Sequence, residues 1–129
     1  MYHFGRPQPA GTYGRIDLAG RIEGASPHGL VTILFDELLG AILRIRRAVD
    51  KGRPAAALER ALDIIQALRM TLDHDRGGEL AASLAAVYEE ALRQLLTGVR
   101  DRDSRRVDTA HTMIAEISEA WAVIAPQHA

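Results

Sequence analysis

The residues best suited to chemistry in this 129-residue chain form a short polar cluster: Asp73, His74, Asp75 and Glu79, beside the glycine pair 77–78. Carboxylate and imidazole groups are ligands for divalent metals, so the cluster is a candidate metal site. Acidic residues also solvate turns, and Glu79 suits the first turn of a helix, where a carboxylate meets the positive end of the helix dipole. The other four histidines are scattered along the chain. We therefore predict a solvated turn, with no bound metal or cofactor.

Other catalytic patterns are missing from the sequence. No histidine stands three places after a glutamate, as di-iron helical bundles require, and neither the zincin motif nor the phosphate-binding loop occurs. There is no cysteine to act as nucleophile or thiolate ligand. Spacing alone does not rule out a serine triad, but Ser26 is already explained as a helix cap. We predict no catalytic residue and a protein that is not an enzyme.

Charge and hydropathy narrow the classes of partner. The formal net charge is −1 at pH 7, and no continuous basic stripe with interleaved aromatic residues is visible, so nucleic acid is not an expected partner. The longest apolar runs fall well short of the roughly 20 residues that span a bilayer, and the first residues lack a signal-peptide layout. We expect a cytoplasmic protein without membrane insertion.

The elements that position these residues are helices. Leu, Ala, Arg and Glu dominate after the first two dozen residues, while aromatic residues are sparse. Ser26–Pro27 is typical of a helix start, because serine caps a free N–H group and proline fits the first helical position. Apolar periodicity predicts helices over about 26–50, 54–73, 80–99 and 107–124, separated by Gly52, the 77–78 glycine pair and residues 101–104. The same spacing places residues of the last two helices on core faces: Leu80, Leu84 and Tyr88 in the third, and Val107, Ala110, Ile114 and Trp121 in the fourth.

Short connections force each helix to return beside the previous one. We therefore predict an all-α, antiparallel up-down four-helix bundle over residues 26–129, in one domain. Residues 1–25 contain glycines and prolines but little periodicity, and are predicted to form a flexible N-terminal arm. Within this arm, Tyr13 and Ile16 are apolar enough to dock on the bundle.

Several short motifs, in a particular order over nearly the whole chain, resemble the FliS family of flagellar export chaperones. The matching residues are Tyr13, Ala25-Ser26-Pro27, Leu30, Leu34-Phe35-Asp36, residues 61–65, Leu72-Asp73, Gly77-Gly78-Glu79-Leu80-Ala81, Leu84, Tyr88 and Ala120-Trp121. Two features depart from the family pattern: Glu37 stands where the family usually has glycine, and a glycine-rich arm precedes Tyr13. Contacts near Glu37 are therefore expected to differ, although glutamate does not disfavour a helix.

The resemblance implies a cytoplasmic chaperone that binds the C-terminal segment of flagellin, prevents its premature polymerisation and accompanies it to the export apparatus. It also implies that the arm around Tyr13 and Ile16 folds over the bundle and yields to the client. The apolar surface of the first helix is wider than one core contact needs, so we add Val31, Phe35 and Leu39 as client-contacting candidates. The alternative for these three residues is an ordinary role in the core.

Three other functions remain open at this point. A chaperone or adaptor of the same shape with a different secreted client would be separated by a client pull-down. A bundle metalloprotein would bind stoichiometric metal. A structural oligomer would pair its apolar stripe with a second copy, which sedimentation would reveal. The sequence leaves the oligomeric state undecided, and it gives no residue-level support to a contact with the export gate.

Overall fold

The computed structural model describes residues 24–124, apart from the side chain of His74. These residues form four α-helices and no strand: α1 spans Pro27–Val49, α2 spans Ala55–Met70, α3 spans His74–Asp101 and α4 spans Ser104–Ala122. The predicted all-α bundle is confirmed. The predicted arm, with Tyr13 and Ile16, lies outside the described residues except for Gly24 and Ala25.

Helix α1 begins at the predicted serine-proline pair. The Ser26 hydroxyl oxygen accepts the backbone N–H of Gly29 at 3.0 Å, and Pro27 occupies the first helical position. This cap satisfies one of the N–H groups that have no partner inside the helix. The sequence-based prediction of this helix start is confirmed.

The connection between α2 and α3 differs from the prediction. Helix α2 ends at Met70, where the Thr71 hydroxyl donates to the Leu68 carbonyl at 2.6 Å. Helix α3 then begins at His74, and the Asp73 carboxylate caps it by accepting two backbone N–H groups. The predicted break at the glycine pair is present, because Gly78, with φ 50° and ψ −122°, leaves the helical conformation and separates the first turn of α3 from the rest of the helix.

Contacts between distant parts of the chain show that the helices alternate in direction. Glu37 of α1 pairs with Arg60 of α2 at 3.0 Å. The end of α1 meets the start of α4 through Arg46 and Asp108 at 2.8 Å, while the start of α1 meets Trp121 near the end of α4. Helix α1 packs on both α2 and α4, and α3 packs mainly on α4, whereas the neighbouring helices α2 and α3 contact each other much less.

The core is one continuous cluster of apolar side chains from all four helices. Among the described residues, every buried side chain is aliphatic or aromatic, and Tyr88 carries the one buried hydroxyl. The predicted core face of α4 is confirmed, with Val107, Ala110, Ile114 and Trp121 buried. Helices α3 and α4 approach closely at Gly98, where an added Cβ would lie 2.9 Å from the Val107 Cγ2 atom. None of the described helices is long and apolar enough to cross a membrane.

Candidate functional site

A pocket of about 760 Å³ opens at the end of the bundle where α1 and α3 begin and α2 and α4 end. We call this end of the molecule the pocket end. The pocket volume lies in the range of about 300–1,000 Å³ that is usual for ligand clefts. Its principal apolar lining residues are Leu30, Val31, Met70, Leu72, Leu80, Ala81, Leu84, Tyr88 and Trp121. The pocket can therefore bury apolar side chains of a partner.

The rim of the pocket is polar and comes from the helix ends. Ser26 lies at the start of α1, Thr71 at the end of α2, and Asp73 and Arg76 at the start of α3. The kink at Gly78 redirects the first turn of α3, so that this turn forms part of the rim. The result is an apolar interior surrounded by hydrogen-bonding groups and by charges of both signs.

Three aromatic side chains set the depth of the pocket. The Phe35 ring lies against both Tyr88 and Trp121, with 6.3 Å between ring centroids in each pair. Trp121 donates its indole N–H to the carbonyl oxygen of His28 at 3.0 Å, and the two rings stack at 4.7 Å. Such pairs fix ring orientation beyond what area burial alone achieves. The floor of the pocket is therefore held from both α1 and α4.

The hydroxyl of Tyr88 is a buried polar group without a hydrogen-bond partner in the part of the chain that the structure describes. The side chain is fully buried, and this burial raises the pKa of the phenol well above its ordinary value. A buried donor left unpaired destabilises the folded state by about 1–3 kcal/mol. The folded protein therefore contains an energetically unfavourable hydroxyl group beside the pocket.

A second apolar groove runs between α3 and α4 at the same end of the bundle. It has a volume of about 140 Å³, and its lining includes Val87 and Ile117. Leu80, Leu84 and Trp121 line both depressions. The first half of α3 is therefore a ridge with apolar surface on both of its sides.

The structure brings only some of the predicted partner-binding residues to the pocket. Val31 lines it, and Phe35 lies fully buried beneath it, in contact with the aromatic floor. Leu39, one turn further along α1, is partly buried against the core and does not line the pocket. Tyr13 and Ile16 lie outside the described residues.

Sequence reasoning missed most of the lining, notably Leu80, Leu84, Tyr88 and Trp121, which it assigned to the core. The sequence carries no signal that would have separated the two roles. A leucine at helical core spacing looks the same whether it faces a neighbouring helix or an opening at the end of the bundle. The only local hint was the glycine pair before Leu80, whose kink shapes the rim.

The polar cluster considered as a metal site has a structural role at Asp73, whose carboxylate caps α3. Within residues 24–124, and leaving aside the His74 side chain, no three metal-ligating side chains come together.

The fold and the site thus define a class of protein: an all-helical bundle with an apolar pocket at one end.

Comparison with known proteins identifies the particular family. The family model for the flagellar protein FliS matches residues 10–128, so this chain belongs to the FliS family. It is 32% identical to the flagellar secretion chaperone FliS of Salmonella typhimurium over 119 residues, covering 89% of this chain and 88% of the relative. The protein of the same name from Vibrio cholerae is 29% identical, with coverages of 90% and 88%. That from Escherichia coli is 30% identical, with coverages of 84% and 83%.

Proposed function

We propose that this protein is a cytoplasmic export chaperone that binds the disordered C-terminal segment of flagellin. By covering the apolar faces of that segment, it prevents premature polymerisation and accompanies the subunit to the flagellar export apparatus. The proposal rests on membership of the FliS family and on the names of its relatives, which are flagellar secretion chaperones. It includes no catalytic step, cofactor or nucleic acid.

The observation that carries the proposal is the apolar pocket with its adjoining groove. A filament-forming segment that is disordered before assembly has apolar side chains that aggregate unless they are covered. An amphipathic helix laid on a groove places anchors three or four residues apart into apolar depressions. The two depressions on either side of Leu80 and Leu84 suit such anchors, and the rigid aromatic floor keeps them open.

The arm supplies the regulation of this site. Ala25, Ser26 and Pro27 line the pocket, so the described part of the chain begins at its rim. In our proposal Tyr13 and Ile16 cover the apolar lining in the free protein and are displaced by the client. The arm then lowers the apparent affinity for the client by the fraction of time that the site is uncovered, and it hides apolar surface from self-association.

The three α1 candidates have different parts in this proposal. Val31 contacts the client directly, whereas Phe35 acts from below by holding Tyr88 and Trp121 in place. Leu39 extends the contact along α1 away from the pocket. A contact between the loaded chaperone and the export gate belongs to the same proposal.

A labelled peptide from the flagellin C-terminus provides the test. Leu80→Ser removes an apolar wall shared by both depressions, and we expect peptide binding to weaken about tenfold or more, as the loss of one buried leucine implies. Leu43→Ser is the matched control, because Leu43 is an exposed leucine on α1 outside both depressions. Circular dichroism checks that both variants keep their helices. Equal peptide affinity for the two variants would contradict the proposed site.

The arm is tested separately with the double variant Tyr13→Ala, Ile16→Ala. If the arm covers the pocket, the variant binds the peptide more tightly while its helical content stays the same. An unchanged affinity in a variant with intact helices would refute the covering role and leave the client assignment in place.

A further inference from the structure

Charge is strongly segregated along the bundle. Residues 44–60 and 93–109 form the end opposite the pocket, which we call the turn end; they contain 11 Arg and Lys residues against five Asp and Glu residues. The remaining described residues contain two arginines and ten acidic residues. A chain that is almost neutral as a whole therefore has one basic end and one acidic end.

The two short turns at the turn end lie side by side. Arg46 of α1 contacts Asp108 of α4, which brings the end of one helix to the start of the other. The guanidinium of Arg102 reaches from the α3–α4 turn onto the α1–α2 turn, where a Cβ built at Gly52 would lie 3.1 Å from its Nη2 atom. Lys51 and Arg53 flank that glycine. Three cations from two turns thus share one small surface.

Helix electrostatics explain only part of this arrangement. The last turns of α1 and α3 lie at the turn end, and Arg46, Arg47 and Arg100 suit their partial negative charge. The N-termini of α2 and α4 lie there too, and their partial positive charge favours acidic neighbours. Asp103 meets this preference as the cap of α4, but Arg53 precedes α2, and Arg105 and Arg106 follow in the first turn of α4. These last three arginines stand where helix physics disfavours them, and such local conflicts are expected at functional sites.

The backbone at Arg102 is also unfavourable. It adopts φ 52° and ψ 43°, a left-handed conformation in which glycine or asparagine is usual. The side chains of Lys51, Arg53 and Arg102 form no ion pair or hydrogen bond with any other residue in the described range 24–124. The turn end therefore keeps unneutralised cations at a strained position.

We propose that the turn end binds the surface of a membrane containing anionic lipids, without inserting into it. The alternative, an acidic protein partner, fits less well because protein interfaces take most of their affinity from a few anchors, mainly aromatic residues and arginines, that pack into desolvated pockets. The two turns, residues 50–56 and 102–105, contain no large apolar side chain, and both apolar depressions lie at the opposite end. A cluster of exposed cations needs no such anchors at an anionic membrane surface.

The segregation of charge also determines how the protein is oriented on the membrane. An anionic surface attracts the turn end and repels the acidic pocket end, so the pocket faces away from the membrane and stays open to a client. Membrane attachment and client binding use different ends of the molecule. An experiment can therefore contradict membrane attachment and leave client binding unaffected, or the reverse.

The experiment measures co-sedimentation of the full chain with phosphatidylcholine vesicles, with and without phosphatidylglycerol. We expect binding only when phosphatidylglycerol is present, and its loss as ionic strength is raised. The test variant is Arg53→Gln with Arg102→Gly; glycine suits the positive φ at residue 102, so the fold is not weakened there. Each cation near such a surface changes partitioning about fivefold, so the double variant should bind roughly 25-fold more weakly.

The matched control, Arg69→Gln with Arg76→Gln, removes the same charge from exposed positions away from the turn end and should bind the vesicles at least as well as the parent. Equal binding to both kinds of vesicle would overturn the proposal, as would equal loss in the two double variants. Retention on immobilised polyglutamate without binding to the vesicles would assign the turn end to an acidic protein and overturn it too.

Discussion

The two ends of the bundle differ in how tightly their helices pack. At the turn end α3 approaches α4 so closely at Gly98 that an added Cβ would lie 2.9 Å from Val107. At the pocket end three aromatic rings hold the helices around an opening, and the Tyr88 hydroxyl has no hydrogen-bond partner among residues 24–124. Close packing therefore accompanies exposed charge at the turn end, whereas incomplete packing leaves apolar surface available at the pocket end.

The largest change in the free energy of unfolding is expected from Trp121→Ala, which removes the ring that joins α1 and α4 at the pocket end. Trp121 is 4% exposed, stacks on His28 and packs against Phe35. Truncation of such a side chain destabilises a protein by about 3–5 kcal/mol. Urea unfolding followed by circular dichroism measures the change. A loss well below this range would mean that the aromatic rings at the pocket end contribute little to folding stability.

The next largest change in the free energy of unfolding is expected at the turn end, where α3 and α4 approach each other closely. Gly98→Ala places a methyl group against Val107 and the Asp103 carbonyl, and this overpacking should cost about 1–3 kcal/mol, more than alanine gains in helix propensity. Gly40→Ala is the control, because an added Cβ there meets only the Arg44 side chain at 3.8 Å. It should stabilise by up to about 1 kcal/mol. The same sign for both variants would show that the turn end is less tightly packed than described.

The smallest change in the free energy of unfolding is expected at Tyr88. Tyr88→Phe removes the unpaired hydroxyl and keeps the ring, so the free energy of unfolding should stay the same or rise by up to about 1 kcal/mol. A clear loss of stability would mean that the hydroxyl has a partner in solution.

The same variant has a pH signature. Burial raises the pKa of Tyr88 in the folded state, so this residue contributes stability that is fully present below the pKa of an unfolded tyrosine, about 10, and is lost at higher pH. The parent protein should therefore lose more stability than Tyr88→Phe when unfolding is measured above that pH. Parallel losses would rule out burial of the phenol.

Much of the fold could be predicted because it depends on local rules. The Ser26 cap, the periodic core face of α4 and the turn around residues 101–104 follow from side-chain spacing and capping chemistry, and the structure confirms them. The start of α3 was less predictable. The glycine pair indicated a break, and Gly78 does interrupt the helical backbone, but the sequence did not reveal the turn that the Asp73 carboxylate caps before it.

The site was harder to predict for a physical reason. Whether Leu80 or Leu84 faces another helix or an opening depends on how far apart four helix ends stand, and no residue type records that distance. The meeting of Arg102 with Gly52 depends likewise on the antiparallel arrangement and on the left-handed backbone at residue 102. Such features appear only when distant segments are placed together.

Calorimetric titration of the purified protein with a flagellin C-terminal peptide, at several temperatures, shows whether the pocket end binds this client. We expect saturable one-to-one binding with a negative heat-capacity change, because apolar surface is buried as the peptide folds onto the bundle. No binding at high peptide concentration, with the bundle folded by circular dichroism, would contradict it and point to a different client.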